Sequence, residues 1–206
     1  MFTGIVEDIG TLKSVERKKD ICLLKVESPK FGRKVKLGES IAVNGVCLTV
    51  SARRQSVMDF DVVDETLRKT TLGVVRLNQK VNLERALTPT DRISGHFVTG
   101  HIDGTTKIIK IIESGDNKEV RFALPQDLQS YIVPKGSVCI DGVSLTIGEV
   151  GEHSFSVDIV PYTKQETTLG AKQVNDRVNV EADVLAKYLV KAMQGPRSRT
   201  LPKKRK

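Results

Sequence analysis

A thiol and a hydroxyl stand at equivalent positions of two similar segments in this 206-residue chain. Cys47 lies within the segment Ser40–Val50, and Ser144 lies within Ser137–Ile147, 97 positions later. A cysteine or serine beside a suitable base can act as a nucleophile or relay a proton. The structural alternatives are a small buried cysteine and a serine that hydrogen-bonds to nearby backbone. The pair therefore marks two related candidate sites with different chemistry.

Further polar residues of candidate function lie within these two segments or elsewhere in the same half of the chain. They are Ser40, Thr49, Thr66, Thr70 and Thr71 in the first half, and His101, Lys135, Thr146, Thr163, Thr167 and Thr168 in the second. The Thr-Thr-Leu-Gly segments that end both groups are also typical of turns and helix caps. His96 and His101 would face opposite sides of a strand, being five residues apart, so we expect no shared metal site.

The chain contains a tandem duplication. Three blocks recur at one spacing of 97 residues: 40–50 with 137–147, 61–73 with 158–170, and 81–84 with 178–181. The segments 2–4 and 98–100 match at a spacing of 96. Each copy is long enough to form a small core of its own. The duplication predicts two similar domains with two similar pockets.

Each copy has the pattern of a β domain. Asn44-Gly45 and Asp141-Gly142 lie between alternating apolar residues, which is typical of type I′ hairpins. The other predicted strands are 4–13, 20–27, 56–63 and 80–85, with counterparts at 100–112, 118–124, 153–160 and 177–182. Short strands with regularly spaced turns predict a closed antiparallel barrel or a sandwich in each copy.

A helix is predicted after the second copy. Leu185, Leu189 and Met193 recur at helical spacing, Asp183 is a candidate N-cap, and Gly195-Pro196 would end the helix. The first copy has no such segment. The apolar face is predicted either to fold back on its own barrel or to pack against other copies of the chain.

Composition and charge exclude several classes of protein. Of the net charge of +8, seven charges lie in residues 191–206, so a basic tail with no predicted fold follows a nearly neutral body. Membrane spans, phosphate loops and dinucleotide-binding motifs are absent. The three cysteines have no paired spacing, and the N-terminus does not read as a signal peptide. These features predict a cytoplasmic protein, and nucleic-acid binding is not expected.

Five segments together resemble the riboflavin synthase family over residues 1–190. They are Met1–Glu7, Asn44–Val50, Glu65–Thr71, Ser94–Gly104 and Lys135–Ile147. The resemblance implies an all-β fold of two tandem six-stranded antiparallel Greek-key barrels and a C-terminal helix that assembles a homotrimer. The implied domains are 1–96, 97–182, a helix at 183–194 and a flexible basic tail at 195–206.

The resemblance also implies the reaction. Two molecules of 6,7-dimethyl-8-ribityllumazine would bind in each site and exchange a four-carbon unit, which gives riboflavin and 5-amino-6-ribitylaminouracil. This transferase needs no metal and no cofactor. Each site would lie between the N-terminal barrel of one subunit and the C-terminal barrel of its neighbour. The barrel that holds the donor, the nucleophile and any association with lumazine synthase stay open.

The site residues that the resemblance implies fall into two groups. The N-terminal pocket would use Gly4, Ile5, Val6, Ser40, Cys47, Leu48, Thr49, Asp61, Val62, Val63, Asp64, Glu65 and Thr66. The C-terminal pocket would use Gly100, His101, Ile102, Lys135, Ser144, Leu145, Thr146, Ile159, Val160, Pro161, Tyr162, Thr163 and Lys164. Ser40, Cys47, His101 and Ser144 are the candidate catalytic residues.

Two other functions are compatible with the duplicated barrel pattern. A lumazine-binding antenna protein of luminous bacteria would share the duplicated fold and hold one ligand without catalysis. A flavin-binding barrel of an oxidoreductase would need a nucleotide-binding partner domain. The presence of Cys47, Ser144 and His101 within their complete motifs favours the enzyme.

Overall fold

Two barrels and a terminal helix make up the structure, a computed structural model that describes residues 1–19 and 21–194. Each barrel is a closed antiparallel sheet of six strands, which confirms the predicted fold class. Among the described residues, no helix is long and apolar enough to cross a bilayer. The predicted tail at 195–206, with the Gly195-Pro196 helix end, lies outside the described residues. The domain limits stay a prediction.

The first barrel has a Greek-key order. Its strands are β1 (Asp8–Arg17), β2 (Ile21–Glu27), β3 (Ser40–Val43), β4 (Val46–Arg54), β5 (Val57–Val63) and β6 (Lys80–Arg85). Around the barrel they follow β1-β2-β5-β4-β3-β6, so that β6 returns to lie beside β3. Alternate residues such as Cys22, Leu24 and Val26 point inward and form the core.

The second barrel repeats this order. Its strands are β7 (Gly104–Ser114), β8 (Asn117–Ala123), β9 (Ser137–Ile140), β10 (Val143–Val150), β11 (Ser154–Ile159) and β12 (Arg177–Ala182). β8 neighbours β11, and β12 lies between β7 and β9. Both predicted hairpins are present, because Asn44, Gly45, Asp141 and Gly142 all have the positive φ of a type I′ turn.

The two segments that precede the barrels cross over. We call residues 1–7 the first arm and residues 97–103 the second arm. The first arm lies on the second barrel, where Val6 packs against the core, and the second arm lies on the first barrel, where Ile102 does the same. The predicted strands at 4–13 and 100–112 are therefore wrong at their starts. Gly4 and Gly100, at φ +78° and +80°, turn the chain there.

Paired hydrogen bonds hold the barrels together about a pseudo-twofold axis. Phe2 and Val98 form an antiparallel bridge between the arms. The Asn82 side chain donates to the Asp141 carbonyl, and the Asn179 side chain donates to the Asn44 carbonyl, both at 2.8 Å. Their amide oxygens accept from the Thr168 and Thr71 amides, 2.8 and 2.7 Å away. Each asparagine side chain thus bonds to the opposite barrel as donor and as acceptor, which fixes the relation between the barrels.

Two short helices follow corresponding strands and were not predicted. They are α1 (Asp64–Lys69) after β5 and α2 (Pro161–Glu166) after β11. The hydroxyls of Thr70 and Thr167 then cap the next turn by accepting from Leu72 and Leu169. The capping interpretation of the Thr-Thr-Leu-Gly segments is therefore confirmed.

The terminal helix is α3 (Val184–Met193), as predicted. Its N-cap is Asp183, whose carboxylate accepts from the Leu185 amide at 2.9 Å. Lys187 on the helix pairs with Asp103 of the second arm at 2.7 Å. Leu185, Leu189 and Met193 remain 61, 64 and 80% exposed, so within one chain the apolar face does not fold back on the barrel.

Candidate functional site

The first site lies on the outer face of the first barrel, around Cys47 of β4. The Cys47 amide donates to the Gly100 carbonyl of the second arm at 2.9 Å. A cavity of about 270 Å³ opens beside them, and its walls include Cys47, Thr66, His101 and Ile102. Cys47 is half-buried and His101 is exposed, so a residue with a thiol and a residue with an imidazole border one space that a ligand can enter.

The second site has the same arrangement with different chemistry. The Ser144 amide of β10 donates to the Gly4 carbonyl of the first arm at 2.8 Å. The Ser144 hydroxyl lies 2.7 Å from Nδ1 of His96. Within the described part of the chain, Nε2 of His96 is buried without a hydrogen-bond partner. Burial lowers the pKa of His96, with the Asp183 charge opposing, so a neutral ring faces the hydroxyl near pH 7.

The arms exchange part of the predicted pockets, which corrects the predicted grouping. The resemblance places Gly4, Ile5 and Val6 in the N-terminal pocket, but Gly4 bonds to Ser144 and Val6 packs on the second core. Ile5 lines a separate cavity with Glu84 and Arg85 of the first barrel. Gly100, His101 and Ile102 were assigned to the C-terminal pocket but line the cavity beside Cys47. The grouping was wrong because it followed chain order, whereas each arm pairs with the strand of the opposite barrel.

Four predicted site residues point into the barrel cores. They are Leu48 and Val62 in the first barrel, and Leu145 and Ile159 in the second. Since neighbouring residues of a strand face opposite sides, their side chains point away from the outer face that carries Cys47 and Ser144. Only their backbone groups are available to a ligand on that face.

Cross-strand pairs place Ser40 and its neighbours farther along the hairpins. Ser40 pairs with Thr49 in the first barrel, as Ser137 pairs with Thr146 in the second. Lys135 is exposed at φ +65°, and its amide donates to the Ile147 carbonyl. Among the described residues, neither Ser40 nor Lys135 forms a hydrogen bond with either arm.

The remaining predicted residues lie where β5 and β11 run into the short helices. Asp61, Val63, Asp64, Val160, Pro161 and Tyr162 are exposed there. Glu65 pairs with Lys69 at 2.8 Å on the rim of the first cavity. Thr163 is half-buried, and Lys164 pairs with Glu113 at 2.9 Å. Of this group, Glu65 and Thr66 line the cavity beside Cys47.

Three site residues were missed from the sequence. The spacing of His96 and His101 suggests only a strand that carries no metal site, but residues 96–101 form no strand. Glu84 and Glu181 were noted only as part of a repeat, yet both are buried beneath the arms. A charged residue that recurs inside an apolar strand was the available signal. Across residues 1–19 and 21–194, no three His, Cys, Asp or Glu side chains are grouped as metal ligands.

A buried charge distinguishes the hairpin of the second barrel. Asp141 is fully buried, and its Oδ2 forms an ion pair with the Lys172 ammonium at 3.0 Å without the alignment of a hydrogen bond. Burial raises the pKa of Asp141, and Lys172 opposes that shift. The corresponding residues of the first copy are Asn44 and Val75, which carry no charge.

Comparison with known proteins identifies both the domain of each half and full-length relatives of the chain. The model of the lumazine binding domain matches residues 3–86 and 99–183. The riboflavin synthase of Actinobacillus pleuropneumoniae is 41% identical over 189 residues, which cover 92% of this chain and 88% of that protein. That of Mycobacterium tuberculosis strain H37Rv is 41% identical over 198 residues, with coverage of 94% and 98%.

Solved structures agree with the fold. Crystal structures of LumP complexed with 6,7-dimethyl-8-(1'-D-ribityl) lumazine and with riboflavin have TM-scores of 0.80 and 0.82. Both are 30% identical to this chain and cover 88% of it and 99% of their own chain. The paired barrels and their sites thus define a protein with two lumazine binding domains. Within that class, the chain belongs to the riboflavin synthase family.

Proposed function

We propose that this chain converts two molecules of 6,7-dimethyl-8-ribityllumazine into riboflavin and 5-amino-6-ribitylaminouracil. The observation that carries the proposal is the pseudo-symmetric pair of sites, with Cys47 under one arm and Ser144 under the other. A reaction between two identical molecules suits two similarly built sites whose different groups give the molecules different roles. Orientation of the two rings alone can supply about 7–11 kcal/mol of the barrier.

The first site supplies the candidate nucleophile. Addition of a thiolate at C7 of one lumazine would prepare that molecule to give up its four-carbon unit. Cys47 lines the cavity, and we assign the uptake and return of protons to the exposed His101 on the same wall. Thr66 on the same wall offers a hydroxyl for the ribityl chain.

The second site supplies proton transfer. A neutral imidazole 2.7 Å from the Ser144 hydroxyl can accept its proton, which makes the hydroxyl a better base or nucleophile. The C7 methyl group of the lumazine is acidic because its carbanion is delocalised into the ring, so a modest base suffices. We therefore assign removal of the methyl proton to Ser144 and His96.

Assembly would complete the active site. The apolar face of α3 is exposed in the single chain, and burying such a face is the usual reason for helix association. We propose a homotrimer through α3, with a Cys47 site and a Ser144 site of neighbouring subunits facing each other around two lumazine molecules. All three thiols are free, which suits the reducing cytoplasm, where we place the protein.

The experiment mixes the purified protein with 6,7-dimethyl-8-ribityllumazine and follows riboflavin by absorbance and chromatography. We expect one riboflavin for every two lumazine molecules consumed. Cys47→Ser should lower turnover much more than it lowers ligand affinity in a fluorescence titration. Tight binding of lumazine without any riboflavin would show a binding protein of this fold instead.

A separate measurement tests the assembly in the full-length chain. Leu189→Asp places a charge on the exposed face of α3 without disturbing either core, since Leu189 contributes to neither barrel. Sedimentation should show a trimer for the parent protein and monomers of low activity for the variant. Fully active monomers would contradict a site shared between subunits.

A further inference from the structure

A buried glutamate holds the second arm in place. Glu181 of β12 is 1% exposed, and one of its oxygens accepts from both the amide and the hydroxyl of Thr99, at 2.7 and 2.6 Å. Its other oxygen accepts from the Gly100 amide at 3.0 Å. Both oxygens therefore act as acceptors, as in an ionised carboxylate. The turn of the second arm forms around this side chain.

The first arm is held by the matching glutamate. Glu84 of β6 is 5% exposed and accepts from the Thr3 amide at 2.7 Å, the Thr3 hydroxyl at 3.0 Å and the Gly4 amide at 3.1 Å. Burial raises the pKa of both glutamates, while the hydrogen bonds from the arms oppose the shift. Each arm thus supplies the hydrogen bonds that compensate a buried carboxylate.

Each glutamate acts on the site of the opposite barrel. Glu181 belongs to the second barrel, but the Gly100 carbonyl that follows its turn accepts from Cys47 in the first. A Cβ on Gly100 would lie only 2.5 Å from the Cβ of Cys47, so the arm lies directly against this residue. Glu84 belongs to the first barrel and in the same way holds Gly4 against Ser144 in the second.

We propose that Glu84 and Glu181 are positioning residues, each for the site on the opposite barrel. Glu84 holds the first arm against Ser144, and Glu181 holds the second arm against Cys47. Neither carboxylate touches the proposed lumazine; each acts through the arm that it holds. The assignment of the two sites to catalysis rests on the proposed function, whereas the crosswise control of the arms does not depend on it. The duplication thereby makes each half of the chain necessary for the site of the other half.

Alkylation of Cys47 tests the control of the arms without any turnover. Cys22 and Cys139 are 1% exposed, so iodoacetamide should react in the folded protein mainly with the half-buried Cys47. Glu181→Gln keeps the shape of the side chain but directs an NH₂ group at an arm amide, where a donor meets a donor. Loss of charge-assisted hydrogen bonds should loosen the arm and accelerate alkylation about tenfold.

Glu84→Gln is the matched control, because it makes the same chemical change beneath the other arm. Its alkylation rate at Cys47 should equal that of the parent protein. Equal rates in Glu181→Gln and the parent protein, or equal acceleration in both variants, would overturn the proposal. Thr99→Val and Thr3→Val remove the hydroxyl donors to the glutamates, and Thr99→Val also removes the acceptor of the His101 amide. Both should repeat the contrast more weakly, which covers the case in which a glutamine variant fails to fold.

Double-mutant cycles extend the test to the rate of lumazine turnover. Glu181→Gln should lower turnover in the parent protein and in Ser144→Ala by the same factor, but much less in Cys47→Ser. Glu84→Gln should show the reverse dependence. Independent effects in every background would indicate a merely structural role and would refute the positioning. If no variant or parent protein turns over lumazine, the proposed function fails, while the alkylation contrast still decides the control of the arms.

Discussion

A glycine-to-alanine substitution on the second arm should show how much its contact with Cys47 contributes to stability and turnover, apart from backbone strain. Gly100 and Gly38 have the same φ of +80°, so alanine meets the same left-handed penalty at both positions. A Cβ on Gly38 would have no heavy atom within 4 Å, whereas a Cβ on Gly100 would lie 2.5 Å from the Cβ of Cys47. Gly38→Ala is thus the control for Gly100→Ala.

The expected magnitudes follow from these contacts. The left-handed conformation costs an alanine roughly 1–2 kcal/mol, and Gly38→Ala should lose no more than this. Carbon atoms pack at about 3.5–4.0 Å, so Gly100→Ala requires the arm to move by roughly 1 Å. That shift strains the hydrogen bond between Cys47 and Gly100, which adds about 1 kcal/mol. A displacement of this size at a reacting group can lower turnover about a hundredfold.

Urea titrations and lumazine turnover measure the two effects separately. We expect Gly38→Ala to lose some stability and keep its turnover, while Gly100→Ala loses more stability and most of its turnover. Equal midpoints and equal turnover in the two variants would refute the view that the arm lies against a catalytic Cys47. A large loss of turnover in Gly38→Ala alone would refute it as well.

Three further predictions concern buried polar groups. Lys118 is 2% exposed and its ammonium donates to three carbonyls, so Lys118→Met should lower the free energy of unfolding in urea by about 2–3 kcal/mol; an unchanged midpoint would contradict this. Asp141→Asn should be destabilising because Lys172 loses its counter-charge, and added Lys172→Val, which restores the pairing of the first copy, should recover at least half of the loss. If the double variant had the same urea midpoint as Asp141→Asn, the unpaired Lys172 ammonium would not be the cause of the lost stability. Burial lowers the pKa of His96, so the unfolded chain binds this proton first, and the free energy of unfolding should fall as the pH drops below about 6.5. His96→Gln should lose this part of the pH dependence. Identical profiles of unfolding free energy against pH for the variant and the parent protein would refute a contribution from His96.

Much of each barrel could be predicted locally. Asn44-Gly45 and Asp141-Gly142 require positive φ, and the alternating residues around them separate a core face from an outer face. Asp183 caps α3 because a carboxylate can accept from the amide two residues later. Such features depend on neighbours in the chain, so the order of residues is sufficient to identify them.

The short helices show where local patterns were too weak. α1 and α2 have only six residues each, which is less than two turns and gives little periodicity to read. Their place was predicted as part of the binding segments, but their helical form was not. The starts of β1 and β7 failed for a different reason. The Gly4 and Gly100 carbonyls accept from strands of the opposite barrel, while the amides of the same residues bond to glutamate side chains, so neither arm continues its own strand.

By itself, the sequence determined the duplication, the two β domains, the matched Cys47 and Ser144 and the family, because these depend on spacing and residue type along the chain. Only the tertiary structure decided which arm lies on which barrel. It also decided that His96 reaches Ser144 and that Glu84 and Glu181 support sites across the interface. Hydrogen bonds between residues some 50 to 100 positions apart produce no periodic pattern in a sequence. In addition, two copies of one domain can form such bonds either within one barrel or between the barrels. Which choice holds depends on how the barrels pack.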